Sequence, residues 1–269
     1  MILGNIDDQP VEAYRLSGGE TSIEVMTFGA ILTRLTRPDR DGVVDDIVLG
    51  YDNPADYVTK PGNAGAICGR HANRIAEGRF SLDGQNIQLS RNNGNHHLHG
   101  GSPGFGKRLW SAHPDVIGNS VEFRLHSPNM DQGYPGALQA SVKYGLTPDG
   151  TLEIAMRATT DQATICNLVY HGYWNLAGHQ SGSVEHQVLR VAADTYTPVT
   201  SDKIPTGEIA PVSGTPFDFR SAKPIGRDIA LAWPGGGYDH NLCHTGFDGS
   251  VQLSAEAVDP VSGRAMQLR

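Results

Sequence analysis

Apolar residues take every second position along much of the chain. In Leu138-Gln139-Ala140-Ser141-Val142-Lys143-Tyr144 the alternation is strict. It recurs in Leu152-Glu153-Ile154-Ala155-Met156-Arg157 and in Val121-Glu122-Phe123-Arg124-Leu125, with further candidates from Ser22 to Phe28 and from Val188 to Ala192. Period two sends one set of side chains to the inside of a sheet and the other to solvent. Turn-forming clusters punctuate these runs: Pro38-Asp39-Arg40-Asp41-Gly42, Asp83-Gly84, Pro148-Asp149-Gly150 and Ser262-Gly263. Hardly any segment sustains a capped stripe of period 3.6. The pattern predicts an all-β protein of two packed sheets or a barrel. No low-complexity linker or internal repeat divides residues 1–269, so one domain is expected.

Composition narrows the partners. The chain has 269 residues, enough to bury a sizeable core. Its net charge is −8, which repels phosphate backbones and speaks against nucleic acid. No basic run or basic amphipathic helix points to a membrane, and the start, MILGNIDDQPVE, does not read as a signal peptide or a membrane span. Three cysteines, Cys68, Cys166 and Cys243, form no C-x-x-C and no even framework. They read as free thiols in a reducing cytoplasm, partly buried as small hydrophobes.

Four polar, turn-rich segments could carry chemistry. Gly69 to Gly78 gathers Arg70, His71, Asn73 and Arg74, donors suited to a polyhydroxylated or anionic ligand, or else to a salt-bridged loop. Asn95-His96-His97-Leu98-His99-Gly100-Gly101 sets His97 and His99 on one face if the segment is a strand. A metal pair, an acid/base or substrate-contacting group, and a structural loop are all open there. A zinc site would ordinarily need further ligands, and no second cluster is evident. Asn167 to Gly178 places His171 among Tyr170, Tyr173 and Trp174, where a flat ring could lie under a sugar or simply pack in the core. Gly236 to Asn241 contains Asp239 beside a glycine turn.

Taken together these segments resemble the aldose 1-epimerase family of the galactose mutarotase type. The likeness runs in order through Phe28-Gly29-Ala30, Gly69-Arg70, Ala72-Asn73-Arg74-Ile75, Leu98-His99-Gly100-Gly101, Asn167-Leu168, His171, Asn175-Leu176-Ala177-Gly178, Gly237-Tyr238-Asp239-His240-Asn241 and Asp259-Pro260-Val261-Ser262-Gly263-Arg264. The resemblance implies a large antiparallel β-sandwich with a sugar cleft. It implies an isomerase of carbohydrate metabolism that interconverts the α and β anomers of a free aldose such as galactose or glucose. It implies no cofactor and no metal, a small-molecule sugar as partner, and a monomer or homodimer. By the same resemblance His171 is the acid toward the ring oxygen, and His99 holds the developing charge. Asn73 and Arg74 orient hydroxyls, and Asp239 accepts from them. Trp174 stands where the family often has phenylalanine, and ring stacking or wall packing is expected of it. The family's general base is a glutamate beyond the Asp-Pro-x-Ser-Gly-Arg motif, whereas this sequence ends at Arg269. Residues 1–269 are therefore expected to lack that base, a Pro-Gly-x-Gln sugar contact and several C-terminal strands. Glu77 or Glu185 could replace the base only by chance geometry. Two expectations follow: a shortened mutarotase of poor activity, or a non-catalytic sugar-binding protein of the same fold.

Overall fold

In the computed structural model, residues 1–6, 8–234 and 236–269 are described. They form two compact units, Met1–Arg37 with Asp46–Trp174, and Pro38–Asp45 with Asn175–Arg269. Strands dominate both, and the single α-helix among the described residues, α1 (Pro54–Thr59), has six residues behind an Asn53 cap. Among the described residues no helix is long and apolar enough to cross a membrane.

The first unit carries an antiparallel meander of β1 (Ile2–Ile6), β2 (Gln9–Gly18), β3 (Thr21–Met26) and β4 (Ile31–Pro38), after which β5 (Val44–Asp46) leads back into the unit. Between its two large sheets the chain makes short pieces: β6 (Ile67–Cys68), β7 (Arg74–Ile75), the hairpin β8 (Arg79–Leu82) with β9 (Gln85–Gln88), and β10 (His97–Leu98). Asp83 and Gly84 join β8 to β9 with φ of 49° and 77°, the pair of left-handed residues that a tight two-residue hairpin requires. The second sheet has the order β11 (Ser111–Asp115), β12 (Ser120–Ser127), β13 (Leu138–Leu146), β14 (Leu152–Thr160). A last short strand, β15 (Val169–Tyr170), pairs with β6.

The alternation in the sequence appears as burial. Leu138, Ala140, Val142 and Tyr144 of β13 are buried, as are Val121, Phe123 and Leu125 of β12. They face the first sheet: the rings of Tyr14 and Phe123 meet edge to face at 6.2 Å, and the Tyr144 hydroxyl donates to the Ala30 carbonyl at 2.7 Å. The same alternation in β14 buries much less. Met156 is 38% exposed although it lies opposite buried Val142, because the facing layer covers less of β14, the edge strand, than of β13.

The second unit holds one sheet of β16 (Val188–Val191), β19 (Lys223–Pro224), β21 (Ala255–Val258) and β22 (Ala265–Leu268), and another of β17 (Ala193–Tyr196), β18 (Ala210–Pro211) and β20 (Leu242–His244). Val212, Phe217 and Ala232 form its small apolar core. The Asp259–Arg264 motif is a clamp here. Buried Asp259 accepts from the Ser262 amide at 2.7 Å and pairs with His186 at 2.8 Å, while Arg264 donates to the carbonyls of Leu176 and Val43 at 3.0 and 2.8 Å.

Candidate active site

Four short strands bring two histidines of the first unit together. β15 pairs with β6 in the register Val169↔Cys68 and Tyr170↔Ile67, and the His171 amide continues the ladder by donating to Ala66 at 2.9 Å. β10 pairs with β7, His97 opposite Ile75 and Leu98 opposite Arg74. At the end of that ladder His99 and Asn73 hold each other. The His99 amide donates to the Asn73 carbonyl at 3.1 Å, and the Asn73 amide donates to His99 Nδ1 at 3.1 Å. Both residues are left-handed, with φ of 51° and 63°. The loop then presses on the segment after β6: a Cβ on Gly100 would stand 1.8 Å from the Gly69 carbonyl oxygen, so only glycine fits.

The result is an edge-to-face pair of imidazoles, His99 and His171, with ring centroids 5.1 Å apart. An imidazole nitrogen that accepts a hydrogen bond carries no proton. The Asn73 amide therefore sets the neutral His99 ring as the tautomer with its proton on Nε2. This ring offers a donor from Nε2, and His171 stands beside it.

The other two histidines of the cluster have different surroundings. His97 is wholly buried; its Nδ1–H donates to the Ser90 carbonyl and its Nε2 accepts from the Tyr134 hydroxyl, each at 2.7 Å. Burial pushes its pKa below the ordinary value. His96 accepts from the Glu77 amide at 3.1 Å. The expectation that His97 and His99 share a face does not hold, because β10 ends at Leu98 and the left-handed turn at His99 takes that ring off the strand. A metal pair of these two is thereby ruled out.

Arg70, for which the sequence left a ligand contact and a salt-bridged loop both open, points into the core. Its guanidinium donates to the carbonyls of Pro135, Gly136, Ser127 and Pro128 and to the Ser127 hydroxyl, over 2.7–3.2 Å. Arg74 stays half-exposed and donates to Asn93 Oδ1 at 3.1 Å, and the Asn73 carboxamide oxygen accepts from the Arg74 amide at 2.8 Å. Trp174 packs on Tyr170, centroids 6.2 Å apart. The aromatic ring beside His171 is Tyr173, 5.3 Å away and half exposed. Asp239 lies in the second unit, where Lys203 pairs with it at 2.5 Å. Cys68, buried at the end of β6, was singled out by no spacing in the sequence, yet a ligand atom from it and one each from His99 and His171 all lie within 4.8 Å of one another. Of the other thiols, Cys166 is exposed and Cys243 half-buried.

Known proteins are similar to this chain in sequence and in fold. The family described as Aldose 1-epimerase matches residues 12–269. A galactose mutarotase of Bos taurus is 42% identical over 258 residues, which cover 96% of this chain and 74% of that protein. An aldose 1-epimerase of Escherichia coli K12 is 40% identical over 224 residues, 83% of this chain and 64% of its own length. Among solved structures, the GalM/aldose epimerase homologue from C. elegans superposes with a TM-score of 0.87 at 31% identity, covering 96% of this chain and 78% of that one. Galactose 1-epimerase from Lactobacillus acidophilus NCFM gives 0.83 at 27%, covering 96% and 76%.

Proposed function

The chain belongs to the aldose 1-epimerase family, and from that premise we propose that it interconverts the α and β anomers of a free aldose such as galactose or glucose. The proton on the anomeric hydroxyl leaves to solvent water, the bond from C1 to the ring oxygen breaks, and the ring oxygen takes a proton from His171. Rotation about the C1–C2 bond and closure from the other face, with the proton movements reversed, give the other anomer. His99, donating from Nε2, holds the charge that grows on the sugar oxygen. Asn73 and Arg74 orient hydroxyls, and Tyr173 offers its ring to the apolar face of the sugar, while Trp174 forms the wall behind it. The cysteine pattern suits the cytoplasm, and a monomer or homodimer suffices for such a site.

The observation that supports this reading is the 5.1 Å imidazole pair flanked by Tyr173. The test is polarimetry. Fresh α-galactose or α-glucose should lose its excess rotation faster with the protein than in buffer, and His171→Ala should lower that rate by about 10²–10⁴. Saturable sugar binding with no change in rotation would replace the proposal with a non-catalytic sugar-binding role. Neither binding nor rate would defeat both.

A further inference from the structure

Cys68 takes no part in the steps above, yet it stands beside both of their imidazoles. We propose that Cys68, His99 and His171 form a binding site for a soft divalent cation, with Zn²⁺ as the type. The ion engages both imidazoles at once, excludes the sugar and halts the reaction. One thiolate and two imidazoles suit zinc and its neighbours, and disfavour magnesium or calcium, which seek oxygen. Three protein ligands leave the fourth tetrahedral position to water.

The backbone already fixes where the three donors stand. Cys68 is locked opposite Val169 in the β6–β15 ladder, two residues before His171. The contact of Gly100 with the Gly69 carbonyl anchors the His99 loop on the residue that follows Cys68. Donors on a tetrahedral zinc with bonds of 2.0–2.3 Å lie roughly 3.3–3.8 Å apart. From a spread of at most 4.8 Å, side-chain rotation alone can gather them.

Two features oppose the ion and make it an inhibitor to be displaced rather than a resident group. Burial pushes the Cys68 thiol up to about 12, with Lys107 as a partial counterweight. As the metal–sulfur bond forms, the thiol proton leaves to solvent. Coordination through His99 Nε2 moves that ring's proton to Nδ1 and ends the bond from the Asn73 amide. The inhibition rests on the proposed reaction, but the binding does not.

The metal-free full chain is titrated with Co²⁺ and Zn²⁺. One equivalent of Co²⁺ should raise a sulfur-to-cobalt charge-transfer band that one equivalent of Zn²⁺ abolishes. Cys68→Ala and the fuller Cys68→Val should lose the band and bind zinc at least ~10-fold more weakly. Without metal they should mutarotate at the parent rate, and zinc should no longer stop them. A band that persists in both variants assigns the ion to Cys166 or Cys243 and overturns the proposal, as does a parent protein with no band. A band that depends on Cys68 in a protein without mutarotase activity leaves the metal site standing and removes the enzymatic reading.

Discussion

Changing His96, His97 and His99 to alanine one at a time should give three different phenotypes from three nearly adjacent imidazoles. His97→Ala deletes a ring with no exposed surface and two hydrogen bonds of 2.7 Å. It leaves the Ser90 carbonyl and the Tyr134 hydroxyl unpaired, at about 1–3 kcal/mol each where water cannot enter. It also opens a cavity between Tyr134 and β7, with a further cost that depends on how far the site collapses. Water entering the polar hole recovers part of this. The net loss should be about 3–5 kcal/mol, which for a chain of this size lowers Tm by on the order of 10 °C. His99→Ala removes a half-exposed ring, and its backbone partner, the amide of exposed Asn73, can turn to solvent, so stability should fall by no more than about 1 kcal/mol. Loss of its Nε2 donor should instead cost about 10²–10³ in kcat. His96→Ala should stay within about 0.5 kcal/mol and keep full activity. Thermal unfolding followed by circular dichroism, with polarimetry on the same samples, separates the three. A His97→Ala protein that melts like the parent, or a His99→Ala protein that loses stability but not rate, would refute the assignment of core and site roles.

Acid should destabilise the fold through the buried imidazoles. Burial holds both His71 and His97 below their ordinary pKa, so the unfolded chain protonates near pH 6.5 while the fold keeps both rings neutral. Their contribution is whole above that pH and shrinks as pH falls toward the folded values, by up to about 1.4 kcal/mol per pH unit for each ring. Urea midpoints should therefore drop between about pH 7.5 and 5.5, less steeply in His97→Ala, and a midpoint that rises on acidification contradicts the assignment. Arg70→Lys should cost about 3 kcal/mol or more, because a single ammonium cannot reproduce a fork that reaches four carbonyls and a hydroxyl; a Tm within about 2 °C of the parent would show that the fork is dispensable.

Periodicity made the large sheets legible. β12 and β13 alternate because one face of each is buried against the first sheet, and that is the quantity alternation reports. It reports which side faces the neighbouring layer, not how fully that layer covers it, so the exposure of β14 could not be read from Leu152–Arg157. The site escapes periodicity altogether. β6, β7, β10 and β15 have two residues each, too few to show any period. The rule that residues two apart share a face failed for His97 and His99 because it assumes an extended backbone, and His99 is left-handed. The core role of Arg70 was out of reach for a related reason. Its donors satisfy carbonyls 57–66 positions away, in a turn that no local pattern joins to it.

What the sequence did carry about the site is the identity of residues that only an unusual backbone needs. Asn73 is a residue tolerant of the left-handed region, and it sits there with φ of 63°. Gly100 is glycine because the Gly69 carbonyl occupies the space of a side chain. Those requirements bind the segments 69–75 and 97–101 to one another, so the fragments Ala72-Asn73-Arg74-Ile75 and Leu98-His99-Gly100-Gly101 work as two halves of one device. The two halves meet at one bond: the Asn73 amide donates to His99 Nδ1, and that bond leaves the proton of the neutral ring on Nε2. Order along the chain therefore pointed to the family more firmly than any single motif. The chemistry depends on the pairing of short segments, and a list of ordered fragments is the trace such pairing leaves in a sequence.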